Sequence, residues 1–356
     1  SFTSSSRMSH LLNKLQMLLL LFLYTIVTCV VAYRLVDTAA DCEIVYAIVG
    51  SSDCLDSFTN CYVSQSTDYG ASFIELSVPA AAYTGGQLYP TIATNSNSGQ
   101  YVTLGTDINI YVSSDLGTSW TTAGVQCGSL HGAGFGLLGL QISDDGQYMI
   151  AACYDESTIP ISTNFGATWS IVYATGTSQS LSRGVSLSSS SSSQYSIIPY
   201  TSYIFRSTDY GLSWNSMAIS NSGILLNSAM SSSGEYVYVV SYDSGAGGMN
   251  QLFMSADFGV TFSSLPSWNY VGVGGIWISV DCSNSGQYVV VAISTGVYIS
   301  NDYGSSWEVN GAGASSVSMV PNGEYVYVTG VGTVEKQLVY SGVPTGEPTS
   351  VPSGVP

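Results

Sequence analysis

The chain has 356 residues, of which 45% are hydrophobic and only 8% are charged. All 23 of its carboxylates lie after residue 32, where the cations are only Arg34, Arg183, Arg206 and Lys336, so this part carries a net charge of −19. Such an acidic surface repels phosphate backbones and anionic bilayers. It argues against nucleic-acid binding and against membrane insertion of the mature domain, and it leaves divalent cations, neutral sugars and basic proteins as partners.

The N-terminal region has the pattern of an export signal. Met8 is followed by Lys14 and by an apolar run over residues 15–32 that ends in small residues. We therefore predict that residues 1–32 are a leader and a cleavable secretory signal peptide, and that the mature protein is secreted or held at the cell surface. An uncleaved signal anchor is the open alternative, because the run is close to the minimum length of a membrane span.

Six cysteines follow the predicted cleavage site, an even number that suits disulfide pairing outside the cell. Cys54 and Cys61 bracket one short segment and form the first predicted pair. Cys127 and Cys153 form the second, on the topological argument given below. Cys42 and Cys282 are left as a third pair or as two buried free thiols.

A phrase of the form Ser-x-Asp-x-Gly-x-Ser/Thr-Trp/Phe, here called the acidic phrase, occurs six times in the chain if the one copy with Asn in place of Asp is included. A repeat of 45 to 49 residues separates successive copies, which is the size of a four-stranded propeller blade. A second phrase, Gly-Gln/Glu-Tyr, precedes most copies and marks a turn that opens a strand. The third position of the acidic phrase is occupied in turn by Asp68, Asp115, Asn164, Asp209, Asp257 and Asp302.

Each repeat predicts four short antiparallel strands, lettered a to d, between turns of Gly, Asn, Asp and Ser. In the sixth repeat these strands are 276–280, 287–293, 297–300 and 305–309. Seven repeats begin near residues 33, 88, 136, 182, 224, 275 and 314, and the seventh lacks an obvious strand d. We predict an all-β fold over residues 33–341, a seven-bladed β-propeller whose last blade has three strands or borrows its outer one. Residues 342–356 are rich in Pro, Thr and Ser and are predicted to be a disordered linker or stalk.

The acidic phrases resemble the Asp-box (BNR) repeat of sialidases, sortilin-type receptors, photosystem II assembly factors and xyloglucan hydrolases. The resemblance covers nearly all of residues 33–341. It implies four-stranded antiparallel blades in which each phrase is the hairpin between strands c and d. It also implies that the Asp or Asn caps backbone N–H groups, that the Gly adopts a positive φ, and that the Trp or Phe packs between blades. The resemblance is specific for the fold and leaves the function open.

The two ends of a four-stranded meander differ in what they carry. The a–b and c–d turns emerge at one end, and the b–c and d–a connections emerge at the other, which we call the loop face and predict to hold the binding site. Cys127 and Cys153 both fall on it, which is the reason for pairing them. A lid role for Trp268 and a hydrogen-bonded loop role for His131 are open alternatives. The candidate ligand-binding residues of this face are Tyr83, His131, Asp155, Glu156, Asp243, Trp268 and Tyr270.

These features favour a binding or adhesion module that recognises a glycan or an extracellular protein, with neither metal nor cofactor. The alternative is a glycoside hydrolase, which requires two carboxylates across a substrate groove. The resemblance would require three arginines of a sialidase, and these could only be Arg34, Arg183 and Arg206, the last of which directly precedes an acidic phrase. The acidity and the cysteines argue against a photosystem assembly factor.

Overall fold

The computed structural model describes residues 36–38, 44–50, 61–68, 72–78, 91–94, 98–105, 109–126, 137–153, 158–173, 186–200, 202–219, 223–242, 251–265, 279–293, 296–310, 313–314, 316–330 and 333–339. Within these residues all regular structure is β-strand, and 27 strands form seven antiparallel sheets that follow the chain order. We number the sheets 1 to 7. No helix in the described part of the chain is long and apolar enough to cross a membrane.

The strand bounds follow the repeat. Sheet 1 contains β1 (Val36–Thr38), β2 (Val45–Gly50), β3 (Cys61–Ser66) and β4 (Ile74–Glu75), and sheet 2 contains β5 (Thr91–Thr94), β6 (Val102–Gly105), β7 (Asn109–Ser113) and β8 (Thr121–Gln126). Sheet 3 contains β9 (Leu137–Ile142), β10 (Met149–Cys153), β11 (Thr158–Ser162) and β12 (Ser170–Tyr173), and sheet 4 contains β13 (Ser188–Ser189), β14 (Ser196–Tyr200), β15 (Tyr203–Ser207) and β16 (Asn215–Ala218). Sheet 5 contains β17 (Ile224–Met230), β18 (Val237–Tyr242), β19 (Gln251–Ser255) and β20 (Ser263–Ser264), and sheet 6 contains β21 (Ser279–Cys282), β22 (Val289–Ile293), β23 (Gly296–Ser300) and β24 (Glu308–Val309). Sheet 7 contains β25 (Ser316–Met319), β26 (Tyr325–Gly330) and β27 (Thr333–Leu338).

The second strand is buried along its whole length in sheets 2, 3, 4 and 6. In sheet 6 this strand is β22, whose Val-Val-Val-Ala-Ile sequence is buried throughout, because a sheet with a neighbour on both faces hides successive side chains on both sides. The fourth strand of sheet 6, by contrast, is short and solvent-exposed, since β24 is only the Glu-Val pair. A short polar outer strand gives other chains little edge to pair with.

The hydrophobic core lies between the sheets. In the layer between sheets 5 and 6, for example, Tyr238 and Val240 from one sheet pack with Val289 and Val291 from the other. Six such buried clusters join each sheet to the next, from sheet 1 through to sheet 7, within the described residues. Because full burial of one such side chain stabilises the fold by about 1.5–3 kcal/mol, the arrangement of the sheets rests on these layers.

The first strands of successive sheets lie side by side. β1 lies beside β5, β5 beside β9, β13 beside β17, β17 beside β21, β21 beside β25, and β25 beside β1. Between sheets 3 and 4, the Nε2 of Gln141 donates a hydrogen bond to the carbonyl of Leu187, 3.1 Å away and directly before β13. Because β25 lies beside β1, the last sheet is next to the first.

A chain of backbone hydrogen bonds links the a–b turns of sheets 3 to 7. Each turn donates one N–H to the carbonyl of the next turn, at 2.7 to 2.9 Å. The chain of bonds runs from Asp144 to Ser191, Ser232, Asn284 and finally Pro321. Pro321 accepts the last bond and, as a proline, has no N–H with which to pass it on.

Each strand predicted for the sixth repeat overlaps an observed strand, although β21 (Ser279–Cys282) runs past the predicted end at residue 280. Two further differences have a local cause. β22 begins at Val289 rather than at residue 287, because the N–H of Tyr288 donates to the Ser283 hydroxyl as part of the a–b turn. β24 begins at Glu308 rather than at residue 305, because the N–H of Ser306 donates to the Asp302 carboxylate in the hairpin. Sheet 7 has three strands within the described residues, and the choice between a three-stranded last blade and one that borrows its outer strand stays open.

Candidate functional site

The acidic phrases form the hairpins between the third and fourth strands, and we call them acidic hairpins. In sheet 2, both oxygens of Asp115 accept hydrogen bonds. Oδ1 accepts from the Ser113 hydroxyl at 2.8 Å and from the Ser119 N–H at 2.8 Å, and Oδ2 accepts from the Ser119 hydroxyl at 2.6 Å. The Ser113 hydroxyl also accepts from the N–H of Gly117 at 2.8 Å. The same carboxylate arrangement recurs at Asp68, Asp209, Asp257 and Asp302.

The third acidic hairpin keeps this geometry without the charge. Oδ1 of Asn164 accepts from the N–H of Thr168 at 2.9 Å, and its Nδ2 donates to the Thr168 hydroxyl at 2.8 Å. An amide therefore replaces the carboxylate bond for bond, with the direction of one bond reversed. This substitution identifies the role of the position as holding the turn.

The hairpin hydrogen bonds lower the pKa of the carboxyl groups. At Asp115 the main cause is the hydrogen bond from the Ser119 hydroxyl, followed by that from its N–H. At Asp209, Asp257 and Asp302 burial acts to raise the pKa, but the bonds from the following Ser or Thr outweigh it, and each pKa lies below its ordinary value. These four carboxyls are therefore ionised at neutral pH and are unsuited to donate a proton as a general acid.

Two consecutive residues with positive φ allow each of the five fully described hairpins, those of sheets 2 to 6, to close. In sheet 4 they are Tyr210 at 63° and Gly211 at 82°. The carbonyl of Gly211 then accepts a hydrogen bond at 2.8 Å from the indole N–H of Trp214, whose ring is buried against sheet 3. The expected packing of the hairpin Trp between sheets is confirmed here.

The seven predicted ligand-binding residues, Tyr83, His131, Asp155, Glu156, Asp243, Trp268 and Tyr270, lie outside the described residues. The strands that flank them in the chain are described. The segment with Asp155 and Glu156 connects β10 to β11, and the one with Trp268 and Tyr270 connects β20 to β21. Both are connections of the b–c or d–a kind, so they leave the sheets at the end opposite to the acidic hairpins, and the binding role of these residues stays a prediction.

The described strand ends at the loop face expose apolar side chains that the sequence reasoning missed. Tyr173 ends β12 and is 64% exposed, Tyr203 begins β15 and is 37% exposed, and Ile224 begins β17 and is 38% exposed. The signal that could have found them is their position, since a large apolar residue in the last or first place of a strand has no neighbouring turn to cover it. The described residues contain no cluster of three or more His, Cys, Asp or Glu side chains that could hold a metal ion.

The cysteine predictions are partly answered. Cys153 is buried at the end of β10 and is disulfide-bonded. Its partner lies outside the described side chains, as does the Cys54–Cys61 pair, so the pairings with Cys127 and between Cys54 and Cys61 stay predictions. Cys282 is a free buried thiol, and burial raises its pKa well above the ordinary value.

No protein-family model matches the sequence, and no curated protein matches it significantly. Solved structures do match the fold. The GH74 enzyme of Niastella koreensis superposes with a TM-score of 0.65 at 17% identity, over 86% of this chain and 52% of the enzyme. The β-propeller domain of Cps50 (Swd1) from Myceliophteria thermophila gives 0.62 at 12% identity, over 87% and 98% of the two chains. YCF48 bound to a D1 peptide gives 0.60 at 11% identity, over 88% and 93%.

The fold is a β-propeller. Identities this low carry the fold and nothing more. The propeller spans about half the length of the GH74 enzyme.

Arg206 belongs to the framework of the propeller. It lies on β15, and its Nε donates a hydrogen bond at 2.6 Å to the carbonyl of Phe258 in the acidic hairpin of sheet 5. In the equivalent place of sheet 1, the Nε2 of Gln65 donates to the carbonyl of Leu116 at 3.1 Å. A guanidinium held between two sheets in this way is poorly placed to bind a substrate carboxylate, which weakens the sialidase reading further.

Proposed function

We propose that this propeller is a binding module that recognises a glycan through its loop face. The observation that carries the proposal is that the polar groups of one end are bonded within the protein, whereas the other end exposes aromatic side chains. At one end, the carboxylates and turn N–H groups are occupied by the protein's own hydrogen bonds, so that little is left for a ligand. The other end carries the long connections, with Trp268 and Tyr270 among them, and exposes Tyr173 and Tyr203 at its rim. Aromatic faces of this kind stack on the apolar faces of sugars.

We further propose that the seven sheets are the blades of one closed ring and that the acidic hairpins are Asp boxes. The position of β25 beside β1 supports closure. The repeated bonding of Asp68, Asp115, Asp209 and their equivalents supports the Asp-box identity. A closed ring of interlocked sheets holds the loop face rigid, which lowers the entropic cost of binding.

Secretion is part of the same proposal. The apolar run over residues 15–32 and the predicted disulfides suit an extracellular protein, and the acidic mature chain suits contact with neutral glycans. The expected partner is therefore a wall or surface polysaccharide or a glycosylated protein.

Glycoside hydrolysis is a second candidate, which the similarity to a GH74 enzyme favours. Its catalytic carboxylates would have to come from Asp155, Glu156 and Asp243 on the loop face, because the lowered pKa values of the acidic-hairpin carboxyls argue against a general acid there. The discriminating observation is the release of reducing ends from a glycan that binds. Loss of that release in Asp155→Asn, Glu156→Gln or Asp243→Asn, with binding retained, would establish the enzyme.

The test of the binding proposal is an array of plant, algal and animal glycans probed with the secreted protein. Trp268→Ala should weaken binding roughly tenfold or more, because it removes the stacking surface, whereas Trp268→Phe should retain most of it. If no glycan binds, the glycan version is wrong, and protein partners of the same face become the next target.

A further inference from the structure

Within the described residues, four aromatic pairs join neighbouring sheets at the end that carries the acidic hairpins. In each pair, the tyrosine that precedes the second strand of one sheet packs on the ring of the first positive-φ residue in the acidic hairpin of the next sheet. The ring centres are close in every case. The pairs are Tyr101–Phe165 at 5.3 Å, Tyr148–Tyr210 at 4.5 Å, Tyr195–Phe258 at 4.8 Å and Tyr236–Tyr303 at 4.7 Å.

Two of these pairs consist of two tyrosines. Tyr148 and Tyr210 join sheets 3 and 4, and Tyr236 and Tyr303 join sheets 5 and 6. All four rings are half-buried, so each is held by its neighbours and still reaches solvent. The other two junctions of this kind pair a tyrosine with a phenylalanine, so that the phenol is not needed for packing at this position.

We propose that Tyr148–Tyr210 and Tyr236–Tyr303 are sites of oxidative cross-linking, each forming a dityrosine bond that covalently joins two neighbouring sheets. The ring centres already lie at about the separation that a carbon–carbon bond between two rings imposes on them. The rings are inclined by 23° and 37°, and coupling requires both side chains to rotate until the carbons ortho to their hydroxyls face each other.

The position of Tyr236 is fixed from two sides by sheet 6. Tyr303 packs on its ring, and the turn at Gly286 lies so close beneath it that a Cβ on that glycine would stand 2.7 Å from the Tyr236 Cβ. Burial is the main cause that raises the pKa of Tyr236, so its phenol is protonated at neutral pH. The pair is therefore held together before any oxidation takes place.

The reaction balances with hydrogen peroxide as oxidant and a haem peroxidase as catalyst. Each phenol loses one electron and one proton to become a phenoxyl radical, and the two radicals couple between their ortho carbons. The hydrogens on those carbons then move to the oxygens and restore both aromatic rings. The protein has lost two hydrogen atoms in all, and one peroxide has been reduced to two waters.

The test is oxidation of the dilute full-length protein by peroxide and a haem peroxidase, followed by peptide mass mapping of the monomer. The expected products are two cross-linked peptide pairs, each lighter than the sum of its parts by two hydrogen atoms, together with blue dityrosine fluorescence. Tyr210→Phe and Tyr303→Phe turn each site into the Tyr–Phe pair that the protein itself uses at neighbouring junctions, so both variants should fold. Each should lose the cross-linked peptide of its own junction and keep the other.

The double variant carries the decisive comparison. It should form almost no intramolecular dityrosine, whereas Tyr195→Phe, at a junction that already contains Phe258, should match the unmodified chain. Equal intramolecular dityrosine in the double variant, or products that join only separate molecules, would overturn the proposal.

Discussion

At the residue scale, the a–b turns require a residue with positive φ. Five of the six described copies use glycine, with φ between 61° and 83°, and the copy in sheet 4 uses Ser193 at 59°. Ser193 is fully buried, and its hydroxyl has no hydrogen-bond partner. A non-glycine residue in the left-handed region costs about 1–2 kcal/mol, and an unsatisfied buried hydroxyl adds to that cost. The fourth repeat therefore departs from the pattern at a loss of stability.

We expect Ser193→Gly to stabilise the protein by about 1 kcal/mol, because the relief of strain and of the unpaired hydroxyl exceeds the extra freedom of glycine in the unfolded chain. The change in stability is measured from the midpoint of urea unfolding. The matched control is Gly234→Ala, whose added Cβ would stand 2.8 to 3.0 Å from the Tyr195 side chain at a φ of +83°. The Gly234→Ala variant should be less stable than the unmodified chain. If Ser193→Gly is no more stable than the unmodified chain, the backbone of Ser193 is not strained.

The acidic-hairpin carboxylates tie stability to pH. The pKa of Asp209 in the folded protein lies below its ordinary value of 3.8, so its contribution is fully present above about pH 4 and is lost as the pH falls through the folded pKa. Asp209→Ala should lower the free energy of unfolding by about 1–2 kcal/mol at pH 7, and Asp209→Asn by less, since Asn164 already serves in sheet 3. Urea unfolding between pH 7 and pH 2 should show that the difference in free energy of unfolding between the parent and Asp209→Asn narrows below pH 4. A difference that stays constant over that range would contradict a stabilising role for the ionised Asp209 carboxylate.

At the scale of the elements, side chains on the third strands tie each sheet to the next acidic hairpin. Arg206 on β15 and Gln65 on β3 donate to equivalent carbonyls, those of Phe258 and Leu116. One position can thus be filled by a charged or a neutral donor. In the sequence, Arg206 and Gln65 look unrelated. Only the packing of the sheets shows that both donate to a carbonyl in the acidic hairpin of the next sheet.

Arg206→Met should lower the free energy of unfolding by about 1–3 kcal/mol, because it leaves the Phe258 carbonyl without its charged donor. Arg206→Gln should lose less, since Gln65 performs this task in sheet 1. Glu308→Gln, an exposed change on β24, serves as the control for the loss of one charge. Thermal unfolding followed by near-ultraviolet circular dichroism provides the measurement, and equal stability of Arg206→Met and the parent would show that the bond contributes nothing.

The elements themselves were largely predictable from the sequence, for local reasons. An acidic phrase fixes its own hairpin, because every bond of Asp115 reaches a residue within four positions along the chain. The a–b turn is similarly local, because the N–H of Tyr148 donates to the Ser143 hydroxyl five positions earlier in the chain. The contact between Tyr148 and Tyr210 could not be predicted, because it depends on the rotation of one sheet relative to the next, which no single repeat encodes.

At the scale of the whole molecule, the protein is a set of sheets joined by apolar layers and by turn-to-turn hydrogen bonds, with few charges. Pro321 ends the chain of turn bonds at sheet 7, and this sheet has one strand fewer than the others within the described residues. Both features coincide at the junction between the last sheet and the first. We expect this junction to open before those between sheets 3 and 7, because the described residues show turn-to-turn backbone bonds at those junctions and none at this one.

For the binding site, the sequence predicted the face on which it lies but not how its residues are arranged. The alternation of turns and connections assigns Tyr83, Asp155 and Trp268 to one face, because strand direction alone decides that. Which of them converge depends on the course of long connections, whose geometry no repeat pattern specifies. The exposed Tyr173 and Tyr203 extend the same face with residues that the strand pattern treated as ordinary strand ends.

The most direct measurement is titration calorimetry of the best glycan from the array against one variant from each end of the propeller. Trp268→Ala alters the loop face, and Leu212→Ala removes a side chain that is 54% exposed on the acidic hairpin of sheet 4. We predict that Trp268→Ala weakens binding roughly tenfold or more and that Leu212→Ala leaves the affinity unchanged. Weaker binding in Leu212→Ala with normal binding in Trp268→Ala would place the ligand at the end with the acidic hairpins and contradict glycan binding at the loop face.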